Sequence, residues 1–326
     1  MRFRNVLWVV AILLLAPAGA TYAGDRPLET VFVDDLNGGF WYSAGNSTYA
    51  GSLPPGEPWQ VAFTPDLPPG AEVRYQRLYV YWTWSRLGQE PVYPDLEVHW
   101  GAGTTLPLSR AARYFDHKGF AGTNDFYTGM DSYLVPSFRA GEPLTVTVLN
   151  AAPDNRTVSL YGAALLVVWE DPGSPSKTIW VKEGADLLYS SYGISPEMAT
   201  STLVFDGTVA PLKEITSAKI FLVAPSGGYS REKIPGRNTL MVNCIPDDQL
   251  PSSFSTIFSL MFPGYKGKEW TDVFEGDELH QIGTEEKEVT RYLRAEGNRI
   301  EVRDQGDYLL LTNAVLDVTR SLGAGP

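Results

Sequence analysis

An all-β fold is predicted, with two tandem antiparallel β-sandwich domains of jelly-roll-like type behind a signal peptide, and three observations predict it. Apolar and polar residues alternate in short runs along the whole chain, as they do in half-buried strands. The composition favours strands and turns over long helices, with Tyr 17, Phe 14 and Trp 9 beside Gly 31 and Pro 24. A strand–turn–strand pattern over residues 141–170 has a weaker copy over residues 297–318, in which Leu144 and Val146 correspond to Ile300 and Val302. The expected division is a signal peptide over 1–23, one sandwich over 24–175 and a second over 176–326, each of ordinary size for this architecture.

Arg2 and Arg4 precede an apolar run from Val6 to Ala16, and Ala18-Gly19-Ala20 or Thr21-Tyr22-Ala23 offers a small-residue cleavage site. An uncleaved N-terminal anchor is the alternative. No later stretch is long and apolar enough to span a bilayer as a helix. Removal of the two arginines leaves 24 basic against 38 acidic residues, a net charge of 24 − 38 = −14. Such a protein repels phosphate backbones, so nucleic acid is not expected as a partner. Cys244 is the sole cysteine and lies in a largely apolar run, which predicts a buried thiol and excludes an intrachain disulfide.

In the first half, Thr30 to Asp35 reads as a strand, Gly38 to Tyr42 as a turn and Trp59 to Phe63 as a strand. Val73 to Trp84 is apolar on both faces: Leu78, Val80, Trp82 and Trp84 on one, Tyr79 and Tyr81 on the other. Two readings are open, a central strand covered on both sides or an aromatic platform for sugar rings. Leu96 to Trp100 alternates cleanly. Ser109 to Met130 loses the pattern and reads as a long decorated loop, a usual carrier of function. It holds Tyr114, Phe115, His117 and Tyr127. Leu144 to Val148 and Leu160 to Trp169 read as a strand pair turned at Asp154-Asn155, the second strand buried on both faces. The Asp171–Ser176 stretch, rich in Pro, Gly and Ser, breaks the pattern and marks the domain boundary. The second half repeats the theme, with strands at 178–182, 200–205, 217–224 and 239–245, an acidic segment at 270–288 and the closing strand pair.

No HExxH, CxxC, GxSxG or P-loop pattern occurs. His99, His117 and His280 fall in three different contexts, unlike a converging transition-metal set. No cofactor is expected; calcium is the one for which donors are at hand, since Asp34, Asp35 and Asn37 and then Asp247 and Asp248 are dense sources of hard oxygen. The same residue types also simply build turns. Asn46 and Asn155 head N-glycosylation sequons, the second in the expected turn.

The stretches Val73-Arg-Tyr-Gln-Arg-Leu-Tyr-Val-Tyr-Trp, Tyr127-Thr-Gly-Met-Asp-Ser-Tyr and Tyr161-Gly-Ala-Ala-Leu-Leu-Val-Val-Trp-Glu-Asp-Pro resemble the DUF3344 family, and the similarity runs from Val31 to Thr319. The resemblance implies a secreted, β-rich surface protein of the kind found in methanogenic archaea and some bacteria, and it carries over no catalytic residues. The expectation is therefore a non-catalytic protein, secreted or held at the cell surface, with a structural or interaction role. Its strand edges and aromatic surfaces would serve self-assembly or attachment to other envelope proteins. The alternative is a carbohydrate-binding or adhesion module using Tyr79, Tyr81, Tyr114, Phe115 and Tyr127. A third reading is an Asp/Glu-dependent glycan hydrolase, which needs two carboxyls held across one cleft.

Overall fold

A computed structural model describes residues 24–101, 105–118, 127–191, 193–209, 211–229, 235–245, 264 and 266–321. Among them the chain forms β-strands and two short 3-10 turns, and no α-helix. The strands of the first half are β1 (Glu29–Ser43), β2 (Ala50–Leu53), β3 (Pro58–Phe63), β4 (Glu72–Leu87), β5 (Glu90–Pro91), β6 (Leu96–Trp100), β7 (Leu106–Pro107), β8 (Arg110–Asp116), β9 (Tyr127–Tyr133), β10 (Leu144–Asn150) and β11 (Thr157–Glu170). Those of the second are β12 (Ser176–Leu188), β13 (Thr200–Thr208), β14 (Ile215–Pro225), β15 (Asn238–Val242), β16 (Lys268–Thr271), β17 (Ile282–Glu288), β18 (Glu296–Asp304) and β19 (Leu309–Arg320).

All strand pairings among the described residues are antiparallel. An 11-stranded sheet runs β17-β14-β19-β12-β1-β11-β4-β9-β8, with β2 and β5 as side branches. Two 4-stranded sheets, β3-β10-β6-β7 and β13-β18-β15-β16, lie apart from it. Strands β12 to β19 thus occupy, in order, the places that β1, β3, β4, β6, β7, β9, β10 and β11 occupy in the first half. The expected hairpin at Asp154-Asn155 is corrected by these pairings. β10 bonds to β3 and β6, while β11 bonds to β1, β2 and β4, so the connection crosses from one sheet to another. The connection from β18 to β19 does the same in the second half. Periodicity identifies a strand but not its partner, which is why the two arrangements read alike in sequence.

β1 belongs to both halves. Residues 29–37 pair with β12 and residues 38–43 with β11. The turn expected at Gly38 is therefore continuous strand. A Cβ at Gly38 would lie 2.0 Å from the Trp169 carbonyl oxygen, and one at Gly39 would lie 2.9 Å from the Trp169 ring. Glycine here serves close approach to β11 where the strand changes partner. The expected long loop is corrected as well, because its two ends are β8 and β9, paired with each other at the sheet edge. Its interior, 119–126, lies outside the described residues.

Side chains alternate across each strand, so the central strands feed two cores each. Leu78, Val80 and Trp82 of β4 pack with Phe63, Val146 and Leu165 against the first small sheet. Ile220, Leu316 and Leu311 pack with Phe205, Leu240 and Ile300 against the second. The opposite faces meet one another: Tyr79, Tyr81, Leu166 and Val168 against Ile179, Val181, Val223 and Val315. The result is four layers of sheet with three apolar seams. Trp84 departs from the expected inward row because β4 bulges between Thr83 and Ser85; its φ is 49° and it is 38% exposed.

The middle seam is not purely apolar. Glu183 of β12 is buried and accepts hydrogen bonds from the hydroxyls of Tyr75 (2.6 Å) and Tyr79 (2.8 Å). Tyr81 donates to Asn313 Oδ1 (2.8 Å), and its hydroxyl also meets that of Tyr42. A buried carboxylate needs such donors to repay its lost hydration. Replacing Tyr79 by phenylalanine is expected to cost about 1–3 kcal/mol, because Glu183 loses a donor it cannot regain from water. Chemical denaturation of the variant checks this, and a change below about 0.5 kcal/mol would show the bond to be dispensable.

Candidate functional site

The sequence-predicted aromatic residues separate into two groups. Tyr79 and Tyr81 have no exposed surface, which removes them from any sugar-binding platform; they belong to the seam between the halves. Their phenols are pushed well above the usual range by burial and then by nearby Glu183 for Tyr79 and Tyr42 for Tyr81. Phe115 and Tyr127 do come together. Tyr127 stacks on Tyr93 at 4.5 Å and 18°, Phe115 meets Tyr93 edge-on at 4.8 Å, and His117 meets Tyr127 at 4.9 Å. Tyr93 remains 36% exposed. Its phenol is raised by burial and by Tyr127. Tyr93 carries no sequence signal for membership of this group, and His117 shares with Phe115 and Tyr127 only the stretch 109–130. Tyr93 lies between two prolines with no strand pattern around it, so only the folded loop brings it over β8 and β9.

Tyr114, next to Phe115 on β8, points to the opposite face, as strand alternation requires. It reaches toward Glu183, and burial followed by that negative charge raises its phenol. Tyr114 and Phe115 line a cleft of 390 Å³ between the N-terminal segment, β8 and β12, with Arg26, Glu29, Arg113 and Glu183 supplying charge. Phe115 is common to the ring group and to the lining of the cleft, so the two adjoin at β8.

An ionic cluster adjoins this surface, buried except at Asp25, which lines the cleft. The Lys118 ammonium contacts Asp25, lies 2.5 Å from Asp116 Oδ2 and 3.6 Å from Asp186 Oδ1. Asp116 also accepts from the Leu187 amide at 2.9 Å, which ties the end of β8 to β12. Asp186 Oδ1 accepts from the amides of Gly24 (3.1 Å) and Arg26 (3.4 Å). Gly24 adopts φ 83°, and a Cβ there would lie 2.1 Å from the Thr200 carbonyl oxygen, so only glycine fits. Burial alone would lower the Lys118 ammonium, but the carboxylates of Asp116 and Asp186 hold it above its ordinary range. Burial pushes Asp186 up to about 6 against the opposing pull of Lys118. Burial also raises Asp116. The three carboxylates share one ammonium at their centre, and none of these residues stood out in the sequence. Asp25, Asp116, Lys118 and Asp186 are far apart along the chain, and charge scattered in this way has no pattern to read.

A second buried charge supports the same edge. Asp131 of β9 receives a two-pronged contact from Arg113, with Nε and Nη2 each at 2.7 Å, and further bonds from Trp82 Nε1 (3.2 Å), Tyr133 (3.3 Å) and Arg110 (3.3 Å). Burial would lower the Arg113 guanidinium, yet its bond to Asp131 raises it.

The calcium donors expected at Asp34, Asp35 and Asn37 lie on β1 rather than in a loop. Neighbouring strand residues face opposite ways, so Asp34 pairs with Arg74 (3.2 Å) while Asp35 pairs with Arg320 (2.9 Å) and bonds to Thr178. These oxygens do not converge on one point. Asp247 and Asp248 lie outside the described residues, as do residues 1–23. Asn46 and Asn155 are exposed in turns. Cys244 is half-buried rather than fully buried, because it follows the end of β15; its thiol donates to the Lys268 carbonyl at 3.4 Å. His99, His117 and His280 sit apart, with His99 beside Glu97, His117 in the ring group and His280 beside Asp277.

Solved structures similar to the chain at a distant level include two from quite different proteins. One is the major capsid protein P2 from bacteriophage PM2, at 11% identity and a TM-score of 0.19, covering 90% of this chain and 100% of that one. The other is the N-terminal CBM22-1-CBM22-2 tandem domain of Xyn10C from Paenibacillus barcinonensis, at 8% identity and a TM-score of 0.21, covering 91% and 99%. Similarity at this level carries no argument about function. Comparison with curated proteins gave no match. The family model described as "Protein of unknown function (DUF3344)" matches residues 21–319, nearly the whole chain, and the protein therefore belongs to the DUF3344 family.

Proposed function

We propose that this is a non-catalytic binding protein of the cell exterior, built from two jelly-roll-type sandwiches locked into one rigid body, which recognises glycans at the cleft between β8 and β12. The observation that carries the reading is the stacked Tyr93–Tyr127 pair, with Phe115 and His117, adjoining a cleft that holds Arg26, Arg113, Glu29 and Glu183. Flat ring faces pack against the apolar faces of sugar rings, and charged groups at the rim bond to hydroxyls and carboxylates. The repeated strand order supports two jelly-roll-type halves, and the four-layer packing with its Tyr–Glu183 seam supports a rigid body. The signal-peptide pattern and acidity support a place outside the cytoplasm.

Self-association through strand edges is disfavoured in this reading. β17, one end of the large sheet, carries Glu285, Glu286, Lys287 and Glu288, with Glu286 paired to Lys219 at 2.7 Å. Charge along an edge opposes strand addition. The test is a glycan array that includes polysaccharides from the surface of the producing cells. A specific hit is expected, and Tyr127→Ala should weaken it at least about tenfold, equivalent to about 1.4 kcal/mol of stacking. No hit on the array, or a variant that binds as tightly as the parent, overturns the glycan reading.

A further inference from the structure

We propose that Lys118 and Asp186 form an intramolecular isopeptide bond that ties the end of β8 in the first half to β12 in the second, with Asp116 carrying the protons. The geometry is that of an amine and a carboxyl already brought together. The Lys118 and Asp186 side chains are 0% exposed and that of Asp116 is 2% exposed. Lys118 Nζ stands 3.6 Å from Asp186 Oδ1, an oxygen on the carbon it would attack.

The two oxygens of Asp186 are in unlike surroundings. Oδ1 accepts from the backbone nitrogens of Gly24 and Arg26, two donors placed where negative charge develops when nitrogen adds to the carboxyl carbon; cleavage behind Ala23 would make the first an α-ammonium in the same place. Oδ2 is buried without a hydrogen bond of ordinary geometry, the Ser201 hydroxyl standing near the carboxyl, and it is the oxygen positioned to leave. Asp186 sits at a bulge, where the pairing of β12 with β19 shifts between Glu183 and Asp186; this aims its side chain out of the regular ladder and toward Lys118. Its raised pKa, up to about 6, favours the neutral acid that an amine can attack.

The step balances without any outside reactant. The Lys118 ammonium gives a proton to Asp116, 2.5 Å away, which passes it to Asp186 Oδ2, leaving an amine beside a neutral carboxylic acid. The nitrogen lone pair forms a bond to the Asp186 carboxyl carbon, and the charge gathers on Oδ1. Asp116 then takes the second proton from the nitrogen and passes it to the Oδ2 hydroxyl. The carbon–Oδ2 bond breaks, and Oδ2 leaves as water. An ammonium and a carboxylate become one amide and one water, and two opposite charges vanish from a buried site, where holding them is costly. With a single cysteine in the sequence, no intrachain disulfide can staple the halves; an amide here would do so irreversibly.

The experiment is tryptic mass mapping of the denatured full chain. The expected product is a branched species in which residues 114–139 are joined to 183–213, lighter by one water (about 18 Da) than the two peptides combined. The linear peptide 114–118 should be missing, because trypsin does not cut after an acylated lysine. Lys118→Arg keeps the cation and should abolish the branch, and Asp116→Ala should abolish it by removing the proton carrier. A folded parent protein, shown by a cooperative thermal transition, that yields peptide 114–118 quantitatively overturns the proposal. So does a branch that maps to Asp25 instead of Asp186, or one that persists in Asp116→Ala.

Discussion

Asp131→Ala is expected to destabilise the protein by about 3–5 kcal/mol, a large share of the 5–15 kcal/mol typical of a folded domain. The carboxylate has no exposed surface and gathers Arg113, Arg110, Trp82 and Tyr133 around it. Removing it strands a largely buried guanidinium and the indole N–H of a fully buried tryptophan. Arg113 also stacks over the Trp82 ring at 5.6 Å, so losing its anchor loosens the edge formed by β8 and β9. Urea denaturation measures the loss. Asp131→Asn should cost less, since its amide oxygen still accepts from the donors on one side, although its NH2 faces donors on the other. A loss under about 1 kcal/mol for the alanine variant would mean that water re-solvates the arginines and that the network is not structural.

Lys118→Met is expected to cost a similar amount, about 3–5 kcal/mol at pH 8, and to cost much less at pH 4. The substitution leaves Asp116 and Asp186 buried without their counter-ion or, in the cross-linked chain, without the covalent partner. The sign follows from linkage. In the unfolded chain these aspartates titrate near 4, while burial holds them higher in the fold. The penalty is therefore absent below about pH 4, where both states bind the proton. It grows as pH rises through the folded values, because the unfolded chain then releases protons that the fold must keep or hold as unpaired charge. Thermal melts of the variant from pH 4 to pH 8 should diverge progressively from those of the parent. A constant offset at every pH would show that the lysine acts by packing its stem and not by its charge.

The proposed binding surface is partly legible in sequence. Phe115 and Tyr127 stood out because aromatic residues interrupted a stretch with no strand pattern. Tyr79 and Tyr81 stood out for the same aromatic character, yet they are the most deeply buried of the group. Both faces of β4 and β11 are apolar, which already implied cover on both sides; what covers them is the second half, through Ile179, Val181 and Val315. Asp34 and Asp35 show the limit of local reading. Adjacent carboxylates look like a ligand pair, but in a strand they diverge to Arg74 and Arg320.

By itself the sequence determined that this protein is all-β, that its central strands are buried on both faces, and that its two halves share a plan. Those properties follow from period-two alternation and from turn residues, which act over a few positions and so are written locally. Only the tertiary structure decided that β1 is shared between the halves, that β10 and β11 part company into different sheets, and that Lys118 meets Asp25, Asp116 and Asp186. Each of these depends on which distant strands lie side by side. Strand pairing and buried charge are satisfied by partners far away in the chain, and alternation within one strand is indifferent to who those partners are.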